Sequence, residues 1–145
     1  MEFEGKVWKS RKDKYWLAEV PSLDVMTQGT SQKNAMHMIV DAVKELLMGY
    51  FPKESIDLLD IVVVDYKMGK MAISANDSKL LLALSLRRQR TKSGATVREV
   101  AERLGSKSPN SYSSYERGEK NFSIDSYEKL ITAVNPKEHP RLRIA

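Results

Sequence analysis

A chain with no cysteine must do its chemistry with carboxylates, imidazoles, amides, hydroxyls and cations, and this one contains none. Disulfides, thiolate metal sites and cysteine nucleophiles are therefore excluded. Its two histidines, His37 and His139, have no second ligand at metal-binding spacing and read as solvent-facing side chains. Four acids, Glu2, Glu4, Glu19 and Asp65, fall in strand-like runs. Two-metal phosphodiester hydrolysis needs several carboxylates converging on ions about 4 Å apart, and nothing in the spacing of these four makes them converge. No catalytic residue, metal or cofactor is expected, so the chain reads as a binding protein rather than an enzyme.

The stretch SPNSYSSYERGEKN, Ser108 to Asn121, carries a different chemistry. An asparagine can form paired hydrogen bonds with adenine N6 and N7 in the major groove, and each such pair contributes roughly 1–3 kcal/mol of discrimination. Cations hold phosphates and position a protein without discriminating between sequences. On this basis Asn110, Ser111 and Ser114 are assigned to bases, and Lys107, Arg117, Lys120 and Asn121 to the backbone, with Ser108 capping the helix that carries them. Tyr112 and Tyr115 share the other face as core anchors. The charge distribution agrees. Residues 1–75 hold 10 basic against 11 acidic side chains, whereas residues 76–145 hold 14 against 8, so the net +5 of the chain resides in its C-terminal half.

The elements that must position these groups follow from periodicity. In the second half LLLALSLRRQR reads as a helix with Leu80, Ala83 and Leu84 on one side and Arg87, Arg88 and Arg90 near its end. A second helix follows at TVREVAERLG, with Thr96 and Glu99 forming a capping box, an apolar stripe at Val97, Val100, Ala101 and Leu104, and a stop at Gly105. Pro109 suits the first position of the next helix, which ends at Gly118. A last helix from about Ser123 to Val134 would bury Ile124, Tyr127, Leu130, Ile131 and Val134 before Pro136. Two short helices joined by a turn suit a helix-turn-helix, in which the second lies in the major groove; the same pattern also suits a bundle whose polar face meets only water.

The first half alternates between strand and helix signals. GKVWKS and KYWLAEV flank the turn RKDK as a hairpin, DVMTQG supplies a third strand, and a long helix from Ser31 runs through Ala35, Ile39, Ala42, Val43, Leu46, Leu47 and Tyr50 to Pro52. DLLDIVVVDY reads as a buried strand because its apolar run is nearly continuous, and KMAISA pairs with it. The expected architecture is α+β: residues 1–75 form a sheet with one long helix, residues 76–136 an all-α domain, and residues 137–145 a tail. No apolar run approaches the roughly 20 residues that span a bilayer, and MEFEGKVWK lacks the order of a signal peptide. A cytoplasmic location is expected.

Two resemblances sharpen these expectations. TVREVAERLG followed by SYSSYERGEKNFSIDSYEKL resembles the Xre or Cro/CI type helix-turn-helix, a five-helix domain of phage repressors and bacterial regulators, over roughly residues 78–136. Its A-x-x-L-G helix end, polar recognition segment and E-R-G stop are present. The resemblance implies an ion pair between Arg90 and Glu116; Val97 replaces the glutamine usual after the cap, and the turn after Gly105 is one residue longer. The run YWLAEVPSLDVMTQGTSQKNAM is similar to the HicB antitoxin family through Trp16, Ala18, Pro21, Leu23, Thr27, Gln28, Gly29, Ser31 and Ala35, with Asp24, Val25 and Met26 in place of the usual proline, glycine and cysteine. That resemblance implies a reduced RNase H-like sheet, a HicA-type toxin as partner, and neutralisation of that messenger-cleaving toxin by direct binding. Trp8, Tyr15, Glu19 and Asp24 would face the toxin, since opposite charges steer association with a basic surface. Operator DNA is the second partner, and one recognition helix spans too few base pairs, so a homodimer or higher homo-oligomer on an inverted repeat is expected. The alternative is a free-standing regulator with an N-terminal sensing or dimerisation domain.

Overall fold

The computed structural model describes residues 1–137; His139 and the tail beyond Lys137 lie outside the described residues. In chain order the elements are β1 (Glu2–Lys9), β2 (Trp16–Val20), β3 (Val25–Gly29), α1 (Gln32–Tyr50), α2 (Lys53–Asp57), β4 (Ile61–Lys67), β5 (Lys70–Ala75), α3 (Lys79–Ser93), α4 (Val97–Arg103), α5 (Pro109–Glu116) and α6 (Ile124–Val134). The architecture is α+β, a sheet with its long helix followed by short helices. The chain divides into two compact units between Leu81 and Leu82, within α3.

In the first unit the strands form one antiparallel sheet in the order β3-β2-β1-β5-β4. The β1–β2 hairpin closes locally: the Asp13 carboxylate accepts from the Tyr15 amide at 2.9 Å, and Ser10 N–H donates to the Tyr15 carbonyl at 2.9 Å. Alternation then places Phe3, Val7, Ala18, Val20 and Val25 in the core. Ser31 caps α1 by accepting from the Asn34 amide at 3.0 Å, and the helix lays Ala35, Met36, Ile39, Val40, Val43 and Leu47 against the sheet. The approach is close enough that a Cβ at Gly29 would meet Ala35 N at 2.4 Å, which accounts for glycine at the end of β3. Asp24 turns the chain with φ 49°, a left-handed conformation that a short acidic side chain tolerates where glycine is absent.

Two expectations about this unit are corrected. Ile61 to Lys67 does not form the expected buried strand: β4 is a sheet edge, with only Ile61 buried and Val62 46% exposed. A continuous apolar run does not distinguish a strand buried on both faces from an edge with an uncovered face. The short helix α2 interrupts the segment after Pro52, where no helix was expected.

The second unit is built by α3–α6 around Leu86, Ala95, Val100, Ala101, Tyr112, Leu130, Ile131, Ala133 and Val134. Its helix ends are tied by side chains from elsewhere. Arg103 donates to the Ala133 carbonyl at 2.8 Å, Ser93 to the Val134 carbonyl at 2.6 Å, and buried Asn135 to Gln89 at 3.2 Å. Ile124, expected in this core, is 75% exposed, because it stands at the first turn of α6 while the packed stripe begins at Tyr127.

Candidate nucleic-acid interface

The second unit presents α5 through two glycine-terminated helices. Thr96 and Glu99 form the expected capping box at the start of α4, with Glu99 N–H on Thr96 Oγ1 at 3.1 Å and Thr96 N–H on Glu99 Oε2 at 3.2 Å. At the other end Gly105, at φ 75°, lets its own amide reach the Glu102 carbonyl and the Ser106 amide reach the Ala101 carbonyl, both at 2.9 Å. This pair of bonds is a Schellman motif. The turn beyond it is knitted by hydroxyls: Ser106 Oγ donates to the Ser108 carbonyl at 3.0 Å, accepts from the Ser108 amide at 3.3 Å, and lies 2.6 Å from Ser111 Oγ. A second Schellman motif closes α5, with the Gly118 amide on the Tyr115 carbonyl and the Glu119 amide on the Ser114 carbonyl, both at 3.0 Å.

The inward face of α5 holds the helix in place. Tyr112 is 1% exposed. Tyr115 is half-buried and packs its ring 5.3 Å from that of Phe122, which in turn meets Tyr127 at 6.1 Å. Glu116, 2% exposed, is the polar centre of this face. Its Oε1 accepts from both Arg90 Nε and the Tyr112 hydroxyl at 2.5 Å, and its Oε2 accepts from a second Arg90 nitrogen at 3.2 Å. Arg87 Nε stands 3.7 Å from Oε2. The implied Arg90–Glu116 pair is thus present and extended by a tyrosine and a second arginine. Burial first, then the Glu116 carboxylate, pushes the Tyr112 hydroxyl far above the usual tyrosine range.

The outward face is made by Asn110, Ser113 and Arg117, at i, i+3 and i+7. Asn110 and Arg117 are exposed and Ser113 is half-exposed. Arg117 lies along this face, donating to Ser113 Oγ at 2.8 Å and forking onto the Glu119 carboxylate at 2.8 and 3.0 Å. Lys107, Ser108, Lys120 and Asn121 are exposed around the helix ends. Lys120 reaches back over the Tyr115 ring at 5.2 Å and donates to the Ser111 carbonyl at 3.4 Å. Ser108 occupies the N-cap position but makes no side-chain cap bond.

The two serines assigned to bases are differently placed. Ser114 is buried, 7% exposed, with its hydroxyl donating to the Ser111 carbonyl at 3.0 Å. Beyond the Gly118 turn the Glu119 amide closes on its carbonyl at 3.0 Å. Ser111 is half-buried, and its hydroxyl is engaged by the Ser108 carbonyl at 2.9 Å and by Ser106. Ser113 was missed; stepping three and seven residues on from Asn110 would have found it. Exposed Arg98, in the first turn of α4, is a further cation that the sequence reading passed over.

In the first unit the residues assigned to a protein partner do not form one cluster. Trp8 and Glu19 share the sheet face away from α1, since Trp8 is registered with Leu17 and Lys6 with Glu19. Lys6 links them, 3.6 Å from Glu19 Oε2 and 5.1 Å from the Trp8 ring. Tyr15 lies at the hairpin end of β2, and Asp24 beyond the opposite end of that strand. Of the four strand acids, Glu2, Glu4 and Glu19 belong to the same open face, whereas Asp65 alternates onto the other side and is held by Lys67 at 2.8 Å. Tyr66 donates to Glu2 Oε2 at 2.5 Å. Among the described residues no three His, Cys, Asp or Glu side chains form a group that could hold a metal ion, and no helix is long and apolar enough to cross a membrane.

This geometry agrees with comparison to known families. The model of a helix-turn-helix domain family matches residues 81–142, which contain the last three helices and nearly all of α3. Comparison with curated proteins gives no match. The C-terminal part of the chain is a helix-turn-helix domain with DNA as its expected ligand.

Proposed function

We propose that this chain is an autorepressing antitoxin: its helix-turn-helix domain binds the operator of its own operon, and its N-terminal sheet domain covers a HicA-type RNA-cleaving toxin. The DNA half is carried by a single observation. The second helix of the motif is pinned by Tyr112 and Glu116 on one face and presents Asn110, Ser113 and Arg117 on the other. Asn110 is the base reader, because it alone on that face carries an amide with both donor and acceptor. Lys107 and Lys120 hold the backbone, joined by Arg117 once its fork leaves Glu119. Neutralisation is steric and needs no reaction chemistry from this chain. It is supported by the spacing from Trp16 to Ala35 and by the open sheet face, which Trp8 and Glu19 share with Glu2 and Glu4.

The alternative, a free-standing regulator whose N-terminal unit dimerises or senses a ligand, shares the DNA half and differs in the partner. Co-expression with the product of the neighbouring reading frame separates the two. A small basic protein that co-purifies with this chain, and cleaves RNA only when freed from it, supports the antitoxin; a neighbour that neither binds nor cleaves leaves the free-standing regulator. For the DNA half, Asn110→Ala should lower operator preference more than nonspecific affinity, and Lys107→Ala should lower both alike. Equal losses of preference from both substitutions would contradict this sorting of contacts.

A further inference from the structure

β4 is the last strand of the sheet and pairs with β5 alone. An edge strand exposes a row of backbone donors and acceptors, and proteins commonly blunt such edges with lysine, proline, inward charges or bulges. Ile61 to Val64 has none of these; Asp65, which turns to the core side, and the irregularity between Asp65 and Lys67 stand at the far end of the strand. Large apolar side chains are exposed along and beside it: Leu58 at 78%, Val62 at 46%, Tyr66 at 55% and Met68 at 96%. Ile61 and Val63 turn toward the core side, Val63 being registered with fully buried Ile73, so Val62 and Val64 occupy the open face. Tyr66 joins that face through its bond to Glu2.

We infer that β4 is a self-association edge, at which two copies of this chain pair their β4 strands antiparallel about a two-fold axis at Val64. Opposed residues in a sheet point to the same face, so a two-fold axis normal to the sheet must set a residue opposite itself. Centred on Val64, the pairing sets Val62 opposite Tyr66 of the other copy and Asp65 opposite Val63. The six open-face side chains then form one apolar stripe with no like charges opposed. Centring on Asp65 would oppose two carboxylates, and centring on Val63 would set Tyr66 against Asp60. The segment is thus self-complementary in this register, as an isologous contact requires. One strand edge is small beside the roughly 1,600 Å² of a standard stable interface, so the dimer dissociates on dilution. The inference rests on the sheet edge and holds whether or not the chain binds a toxin.

Sedimentation velocity of the full chain over a concentration series tests it. The mass should climb from monomer toward dimer, and Val62→Lys, a change at an exposed side chain, should hold the protein monomeric with an unchanged melting curve. Because the chain has no cysteine, Val64→Cys adds a single reporter that mild oxidation should couple to its counterpart in the other copy. Met26→Cys, on the opposite edge strand, should give no such product. A wild-type chain that stays monomeric at every concentration, a dimer that survives Val62→Lys, or equal cross-linking from both cysteines would each overturn the inference.

Discussion

Glu116 decides whether the recognition helix keeps its angle. Its carboxylate is shielded from water and joined to Arg90, Arg87 and the Tyr112 hydroxyl. Removing one member of a buried charged group leaves the others desolvated and unpaired, which typically costs about 3–5 kcal/mol. Glu116→Ala should lower the stability of the helix-turn-helix domain by that amount in urea denaturation, and Glu116→Gln by less, because the amide oxygen still accepts from Arg90. The same residues set an alkaline limit. Tyr112 is raised by burial and then by Glu116, and Tyr127 by burial, so both stay protonated in the folded chain after an unfolded tyrosine would ionise near pH 10. Above about pH 10 the unfolded state therefore holds fewer protons, and stability falls as pH rises. Denaturation midpoints followed from about pH 8 to 11 should show that fall, and Tyr112→Phe should make it shallower while Tyr127 preserves the remainder.

At the scale of elements, two glycines with opposite roles test how the helices end. Gly105 sits at φ 75° in the Schellman turn after α4, where a Cβ meets no neighbour but the backbone conformation itself disfavours one. Gly49 lies within α1, also with open space at its Cβ position, in ordinary helical geometry. Gly105→Ala should therefore destabilise by about 1 kcal/mol, and Gly49→Ala should stabilise by about 0.4–1 kcal/mol; thermal melts of the two variants should move in opposite directions. Signals of this local kind made most elements legible in the sequence. Ser31, Thr96 with Glu99, and Ser123 mark helix starts through bonds spanning three residues, and RKDK marks the first hairpin as Gly69, at φ 78° between β4 and β5, marks the other. What local signals do not carry is tertiary cover. The edge position of β4 depends on which strands pair beyond it. The burial of Ser114 depends on tertiary packing, and a serine is small enough to be buried without any apolar mark in the sequence. Asn110 and Arg117 were legible as outward residues because the tyrosines fix the opposite face, and the same periodicity points to Ser113.

For the molecule as a whole, the proposed β4 pairing would couple the sheet edge to the recognition helix through the number of helices that reach one operator. Each phosphate neutralised by a cation releases condensed counterions, and the logarithm of affinity falls with the logarithm of salt by about 0.9 per contact. With Lys107, Arg117 and Lys120 as the backbone contacts of one domain, a single copy should show a slope of roughly −3, and two copies on an inverted repeat roughly −5. Val62→Lys alters no residue of the helix-turn-helix domain, so any effect on DNA must pass through association. Titrating labelled operator duplex across a salt series should give the steeper slope for the wild-type chain and the shallower one for Val62→Lys, with both converging on a duplex that carries one half-site. An unchanged slope on the full operator would mean that two recognition helices are brought together by a contact other than β4. A shallow slope for both proteins would mean that each copy binds alone.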